Sequence, residues 1–364
     1  MLGENNYSSY EVDGTSKGPC GVSRIPDFEA HYAKARPVVS SFEQEIARAF
    51  ALSDQLKLSI DELCARLRVG QNVQLAPVRN LLQACAKSVE SNAFSWLFLC
   101  QIKNPQSYLV EHAFRTAALA MALGSRLSMR DHEIVELGLA AMLSDVGKIM
   151  IPNSILEKEG ALSSAEYAVI RVHPLEGRKI LLSHTDASSA LIDVVVSHHE
   201  QVDGNGYPAN LFGENIPYFA RIVAIADAFD AMTSERSYAP ARSVADAQKI
   251  LWGCRDKQFD ASLVEVFLSM LGVFPPGTEV RLSDGSSAVV LEPVEGKTAE
   301  MKVILTQDTS AMHIDVASTD ADQPNKRYIA SSEPGVPHST TQHELRNVLQ
   351  CQNASFAADS QSNN

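Results

Sequence analysis

The sequence predicts a mainly α-helical protein, in which a helical bundle carries a small β extension near its C-terminal end. Two observations predict the bundle. Apolar residues recur at three-to-four spacing in segments such as VEHAFRTAALAMALGSRL and YFARIVAIADAFDAMT, and Gly and Pro clusters, notably DGNGYP at 203–208, separate these segments. A third observation predicts the extension, because apolar and polar residues alternate in TEVRLSDGSSAVVLE around the turn at Asp284 and Gly285. Consecutive amphipathic helices bury their apolar faces by packing on one another, which favours an all-α bundle.

Composition divides the chain into five parts. Residues 1–41 are polar and contain Gly and Ser, so we expect them to be disordered. Residues 42–99 have helical periodicity and form an N-terminal segment, residues 100–272 form the main helical domain, and residues 273–307 form the β extension. Residues 308–364 are rich in Asp, Ser, Gln and Asn and are predicted to be a disordered tail.

The charge and composition exclude several classes of protein. A net charge of −13 and a pI near 5.2 argue against a protein that coats DNA or RNA, although a local basic pocket could still hold a small anion. The first residues lack the features of a signal peptide, and no apolar run approaches the roughly 20 residues of a membrane span. We therefore expect a cytoplasmic protein without a membrane segment. Its six scattered cysteines are expected to be reduced thiols.

Acidic and histidine side chains recur beside apolar helices and helix breakers. One such residue alone is usually a surface residue or a satisfied core residue. A set is harder to explain in that way, since buried charges need partners and divalent metals are partners for clustered Asp and His. The adjacent histidines of SHHE point about 100° apart on a helix, so both can reach one site only near a helix end or if each serves a different side of the site. We expect a metal site built from His112, Asp145, His173, His198, His199 and Asp227.

An ordered series of motifs carries a family resemblance. Taken in order, HAFRT, LSDVGKIMIP, the HP of RVHPLEG, VVVSHHEQVDGNGYP, ARIVAIADAFDAMTSERSY and FDASLVEVF resemble the HD-GYP domains, a bacterial branch of the HD metal-dependent phosphohydrolases. The likeness covers about residues 100–272, and the helical lead-in and the FPPGTEVRL stretch extend it to residues 42–307. It implies a helical bundle that hydrolyses cyclic di-GMP to pGpG or GMP at two or three bridged metal ions.

The resemblance also implies a role for each ligand. Asp145 would bridge two divalent metals. His112 and Asp227 would complete the first metal site, and the second would add His173, His198 and His199. Two metals about 3.5–4 Å apart can activate a bridging water and clamp both the attacking and the leaving oxygen of a phosphodiester. Mixed imidazole and carboxylate ligands suit Fe, Mn, Ni, Co or Zn and do not select among them.

The remaining implied site residues contact the substrate. Asp145 and Lys148 would be the catalytic residues, and Lys148, Tyr207 and Arg236 would bind the substrate. Lys148 and Arg236 would neutralise charge on phosphoryl oxygens, although a solvated Lys148 and a surface-paired Arg236 stay open. Tyr207 could equally be a packing residue. Asp230 lies one turn after Asp227, either as a partner of a metal ligand or in an ordinary helix salt bridge.

Four positions depart from the family pattern and weaken the expected site. Ser144 stands where the family has the histidine of its HD pair, so the first metal site should be only partly occupied. Tyr108 stands where some relatives carry a glutamate ligand, so we do not expect a third metal ion. Gln201 and Ala239 replace residues that are commonly basic, which reduces the positive field around an anionic substrate.

Two main functions therefore remain open. The first is a metal-dependent phosphodiesterase with two divalent ions and an impaired or unusual first site. The second is a catalytically silent sensor or scaffold that binds cyclic di-GMP or a signalling protein partner. A third reading is another HD-type phosphohydrolase, acting on a nucleotide or on a different cyclic dinucleotide. We favour retained metal binding, because a domain freed from metal chemistry has no need for so many costly buried Asp and His.

Overall fold

The computed structural model describes residues 39–102, 108–158, 160–234, 241–294, 297–306, 314–319 and 327–332. The predicted fold class is confirmed, since a helical bundle carries a small antiparallel sheet at its C-terminal side. The helices are α1 (Phe42–Arg68), α2 (Ala76–Ser91), α3 (Ala93–Gln101), α4 (Tyr108–Arg126), α5 (Asp131–Leu143), α6 (Asn153–Leu156), α7 (Ser164–Ile170), α8 (His173–His184), α9 (Ser189–Ser197), α10 (Tyr218–Thr233), α11 (Val244–Gly253) and α12 (Ala261–Leu271). Two short 3₁₀ turns, Val146–Met150 and Gly213–Asn215, interrupt the series.

Helix α4 is the centre of the bundle. Every residue from Val110 to Ser125 is buried, and the sequence explains this because Ala, Leu and Met lie on all sides of the helix. Helices α5 and α10 pack directly on it, and α1 and α3 cover it from the N-terminal side. Polar residues on α4 and α10 are thereby forced into the interior, where they need partners.

A close backbone approach positions the chain that follows α5. A Cβ atom added at Gly147 would lie 2.0 Å from the carbonyl oxygen of His173 and 2.5 Å from the amide nitrogen of Gly177. Only glycine permits the 3₁₀ turn to lie this close to the start of α8. This contact brings Asp145, just before the turn, next to His173.

We expect Gly147→Ala to lower the free energy of unfolding by about 1–3 kcal/mol, because the added methyl would overlap backbone that cannot yield. Urea denaturation measures the change. Gly124→Ala is the matched control, since a Cβ there would meet the flexible ends of Leu137 and Met129. An equal loss in the two variants would contradict the proposed role of this close approach.

The β extension is a five-stranded antiparallel sheet of order β4-β3-β2-β1-β5. The predicted hairpin is present as β1 (Glu279–Leu282) and β2 (Ser287–Val294), followed by β3 (Lys297–Leu305). The prediction of a disordered tail over 308–364 is wrong at β4 (Ile314–Ser318) and β5 (Ile329–Ser332). Both are short edge strands in polar sequence, so the composition of the whole stretch concealed them.

The sheet is fixed to the N-terminal helices through buried polar contacts. Asn92 caps α3 by accepting a hydrogen bond from the amide of Phe94. Its side-chain nitrogen donates to Glu292 of β2 at 2.9 Å, and Lys302 of β3 donates to the same carboxylate at 2.7 Å. The N-terminal segment and the β extension are thus joined on one side of the bundle.

Some sequence predictions concern residues outside the described ranges. Arg236, Ala239 and residues 1–38 belong to this group. Within the described ranges, no helix combines the length and apolar character needed to cross a lipid bilayer. The four cysteines there that carry free thiols are Cys64, Cys85, Cys100 and Cys254.

Candidate metal centre

The first cluster consists of His112, Asp145 and Asp227, all of them buried. Nε2 of His112 lies 2.9 Å from Oδ1 of Asp227 and 3.1 Å from Oδ2 of Asp145. Nδ1 of the same ring lies 2.6 Å from Oδ2 of Asp230. A carboxylate on Nδ1 fixes the ring orientation and directs Nε2 towards the other two carboxylates, as in many metal-bound histidines.

The second cluster consists of Asp145, His173, His198 and His199. Nδ1 of His173 donates to the carbonyl of Ile170 at 2.8 Å, and Nδ1 of His198 donates to the carbonyl of Val195 at 2.7 Å. In the neutral rings, Nε2 is therefore an acceptor on both histidines. These two nitrogens lie only 3.3 Å apart. Two facing lone pairs repel each other unless a proton or a metal cation lies between them, and a metal ion would satisfy both nitrogens at once.

Electrostatics keeps two of these rings neutral. Burial, together with the nearby His173 ring, lowers the pKa of His198 to about 4. Burial and the neighbouring His198 ring hold the pKa of His199 well below its ordinary value. Neutral imidazole is the form that binds metals. At neutral pH, His198 and His199 can therefore act as ligands without losing a proton first.

Asp145 is the residue common to both clusters. Burial alone would raise its pKa, but Lys148, His112 and His173 hold it well below the ordinary value, so the group is a carboxylate. Its Oδ2 faces the first cluster, whereas Oδ1 lies 3.1 Å from Nε2 of His173 and 3.8 Å from Nε2 of His198. Oδ1 is buried and accepts no hydrogen bond from the described part of the chain. Such an orphaned carboxylate oxygen beside ring nitrogens fits a bridging metal ligand.

The six predicted ligands therefore lie together at one place in the bundle. The ring centroids of His173 and His199 are 4.9 Å apart, far inside the 20–24 Å that two helix diameters would span. Helix α9 ends at Ser197, so His198 and His199 lie at its end, where the chain can turn both rings to one side. The donor set suits divalent ions such as Fe or Mn. Their role as ligands stays a prediction.

Ser144 is buried beside Asp145 and does not extend the first cluster. Its hydroxyl donates to the carbonyl of Ala141 at 2.8 Å, one turn back in α5. The side chain is therefore engaged with its own helix. Tyr108 stacks its ring on His112, with centroids 5.5 Å apart and an interplanar angle of 8°. Neither residue supplies the nitrogen or carboxylate ligand that the family pattern has there.

Lys148 and Tyr207 border the two clusters. Nζ of Lys148 donates to Oδ2 of Asp145 at 2.5 Å, and its side chain is 16% exposed. The ring of Tyr207 stacks on His199 with centroids 4.8 Å apart. The guanidinium of Arg171 also contacts the Tyr207 ring and lies 4.4 Å from the ring centroid. Lys148 and Tyr207 thus both lie at the edge of the clusters, and their contact with substrate stays a prediction.

The carboxylate that holds the DGNGYP loop was not predicted from the sequence. Glu200, which is buried, accepts hydrogen bonds from the amides of Ala209 and Leu211 at 2.6 and 3.0 Å. A Cβ at Gly206 would lie 2.3 Å from the amide nitrogen of Gln201, so the loop backbone lies directly on the SHHE segment. The acidic residue directly after two histidines was the available signal. Glu200 fixes the loop that carries Tyr207.

The comparisons with known proteins agree with this geometry. Residues 100–263 match the HD domain family. Over 258 residues the chain is 34% identical to the cyclic di-GMP phosphodiesterase PA4108 of Pseudomonas aeruginosa, which covers 70% of this chain and 62% of that relative. The chain contains an HD domain over residues 100–263. The resemblance noted from the sequence is confirmed, and the alignment is longer than the HD domain alone.

Two further proteins are similar to this HD domain. The 3'3'-cGAMP-specific phosphodiesterase 2 of Vibrio cholerae is 35% identical over 158 residues, covering 43% of this chain and 30% of that relative. Among solved structures, Bd1817, an HDG"Y"P protein from Bdellovibrio bacteriovorus, matches with a TM-score of 0.53 and 18% identity. It covers 67% of this chain and 76% of that chain, and it supports the fold alone. The matched parts thus span less than two thirds of both curated relatives.

Proposed function

We propose that this protein is a metal-dependent phosphodiesterase that hydrolyses cyclic di-GMP to pGpG or GMP. The single observation that carries the proposal is the sharing of Asp145 between two clusters of buried His and Asp. When bound there, two divalent ions would supply an activated water and a Lewis-acid clamp on the phosphoryl oxygens. The names of the relatives from Pseudomonas aeruginosa and Vibrio cholerae support a cyclic dinucleotide as the substrate class.

The residues of the chain would each do part of this work. Asp145, His198 and His199 would supply carboxylate and neutral imidazole ligands, the forms that the low pKa values of these groups favour. Lys148 would stabilise negative charge on a phosphoryl oxygen, since its ammonium lies at the edge of the cluster beside Asp145. Tyr207 would form a wall of the substrate site through its stacking on His199.

The first cluster would bind its metal more weakly than the second. It offers one imidazole and two carboxylates, whereas the second offers three imidazoles and one carboxylate oxygen. Ser144 adds no ligand, because its hydroxyl donates to its own helix. The absence of a ligand from Ser144 is the observation that favours the alternative function, a catalytically silent protein that binds cyclic di-GMP or a signalling partner. A cytoplasmic location and the role of Arg236 stay predictions.

A turnover assay distinguishes the two functions. Purified protein is freed of metal, supplied with Mn²⁺ or Fe²⁺ at several concentrations, and incubated separately with cyclic di-GMP and 3'3'-cGAMP. We expect pGpG or GMP to form from cyclic di-GMP, at a rate that rises with added metal and falls to background with a chelator. Tight binding of cyclic di-GMP without product at any metal concentration would support the silent sensor. Faster hydrolysis of 3'3'-cGAMP would mean that the preferred substrate is a different cyclic dinucleotide.

A further inference from the structure

A line of buried charged side chains runs from the N-terminal helix α1 to the first cluster. Nζ of Lys57 lies 2.8 Å from Oε1 of Glu111, whose Oε2 accepts a hydrogen bond from Nη1 of Arg115 at 3.2 Å. Nε of Arg115 donates to Oδ1 of Asp230 at 2.5 Å, and Asp230 bonds to Nδ1 of His112 at 2.6 Å. All five are buried. We call Lys57, Glu111, Arg115 and Asp230 the ion-pair chain.

The ion-pair chain is balanced when its cations and anions are equal in number, as they are with all four charges present. Its two cations and two anions alternate, so each inner group has an opposite charge on both sides. Removing one partner of a buried pair leaves an uncompensated charge, which is strongly destabilising. Without Lys57, Glu111 would keep Arg115 alone as its cation. Arg115 would then be drawn towards Glu111 and away from Asp230, the group that orients the His112 ring.

Lys57 lies outside the residues that match the HD domain. That match begins at residue 100, whereas Lys57 belongs to α1 and enters the bundle from the N-terminal segment. Its ammonium also lies 4.5 Å from the ring centroid of Phe114, a cation–π contact that holds it in place. Ile60 and Leu63, on the following turns of α1, line a small cavity that also reaches Asp145. Helix α1 is therefore packed against the metal centre itself.

We propose that Lys57 is a positioning residue for the first cluster, through which α1 sets the orientation of His112 and the affinity for the first metal. The inference rests on the proposed metal-dependent function. Burying a lysine between a helix and a bundle costs free energy, because the desolvation of the ammonium must be offset by its ion pair. Here the ammonium of Lys57 is the first charge of the ion-pair chain, and Asp230 at the other end contacts the predicted metal ligand His112. Loss of the Lys57 ammonium would thus be transmitted through Arg115 and Asp230 to His112, a residue that the second cluster does not contain.

Metal binding without substrate tests this proposal. Mn²⁺ binding to metal-free protein is measured by equilibrium dialysis, and thermal unfolding of the metal-free protein is followed separately. Partners around metal ligands typically contribute 10–100-fold in affinity, so Lys57→Met should weaken the first cluster by about tenfold while the second keeps its affinity. The double variant Lys57→Met with Glu111→Gln removes one charge of each sign and should restore the first-cluster affinity to within about twofold of the parent.

Lys158→Met is the matched control, since Lys158 forms an ion pair with Glu166 at the surface, and it should bind Mn²⁺ as the parent does. Three results would overturn the inference: first-cluster affinity unchanged in Lys57→Met, no recovery in the double variant, or equal weakening of both clusters together with a lower unfolding temperature. The last result would mean that Lys57 only supports the fold. If the parent itself binds no Mn²⁺ at either cluster, the proposed function and this inference both fail.

Discussion

Replacing Asp145 with Asn is expected to empty both clusters at once and to abolish cyclic di-GMP hydrolysis. An amide keeps one oxygen but loses the negative charge, and its nitrogen cannot bind a cation. Since losing even an outer partner of a ligand costs 10–100-fold, losing the shared carboxylate should lower Mn²⁺ affinity at both clusters by at least about 100-fold. Equilibrium dialysis and product formation measure the two effects.

Two comparisons make the Asp145→Asn result specific. His198→Ala should lower metal content at the second cluster only, because His198 is absent from the first. Asp246→Asn makes the same chemical change at the surface, where Asp246 pairs with Lys249, and should leave metal binding unchanged. If Asp145→Asn retained two Mn²⁺ ions per chain, the assignment of Asp145 as the bridging ligand would be wrong.

Ser144→His is expected to raise first-cluster affinity by about 10–100-fold, because it supplies an imidazole beside Asp145 where a hydroxyl now donates to the helix backbone. Each tenfold gain corresponds to about 1.4 kcal/mol. The measurements are Mn²⁺ binding and the metal concentration needed for half-maximal hydrolysis of cyclic di-GMP, which should fall. Ser125→His, at a buried serine in α4 away from both clusters, is the control for inserting a bulky ring.

The metal dependence of turnover in the parent protein tests the expected effect of Ser144. Parent turnover that is weak at low metal and rises with added metal would agree with an impaired first cluster. No parent turnover, with rescue in Ser144→His, would favour the sensor. Full parent turnover at low metal would contradict the account of Ser144, since another side chain would then have to complete the cluster.

The main helical domain and its predicted ligands could be derived from the sequence because their signals are local. Apolar spacing reveals the buried faces of helices such as α4, and charged residues within them demand a partner. A helix end was one of two ways in which the adjacent His198 and His199 could reach one site, and α9 ends at Ser197. The order of the HD-GYP-like motifs along the chain then predicted that the six ligands form one metal centre.

The ion-pair chain could not be derived in the same way, because its contacts join distant parts of the sequence. Lys57 is an ordinary lysine in a helical pattern, and Glu111 with Arg115 has the spacing of a common surface pair. The packing of α1 against α4 brings Lys57 next to Glu111, and all three residues are buried. The two outer strands escaped notice for a related reason, since a short edge strand takes its stability from its neighbour rather than from its own composition.

The order of the sheet limits where the chain can be shortened. Cutting it after residue 307, at the boundary suggested by composition, would remove β4 and β5 from opposite sides of the sheet. Strands β3 and β1 would then present unpaired amides and carbonyls on both flanks, and such edges invite pairing between molecules. A shortened chain would therefore precipitate or self-associate while its helical part still folded. A chain that extends at least to Ser332 keeps all five strands of the sheet.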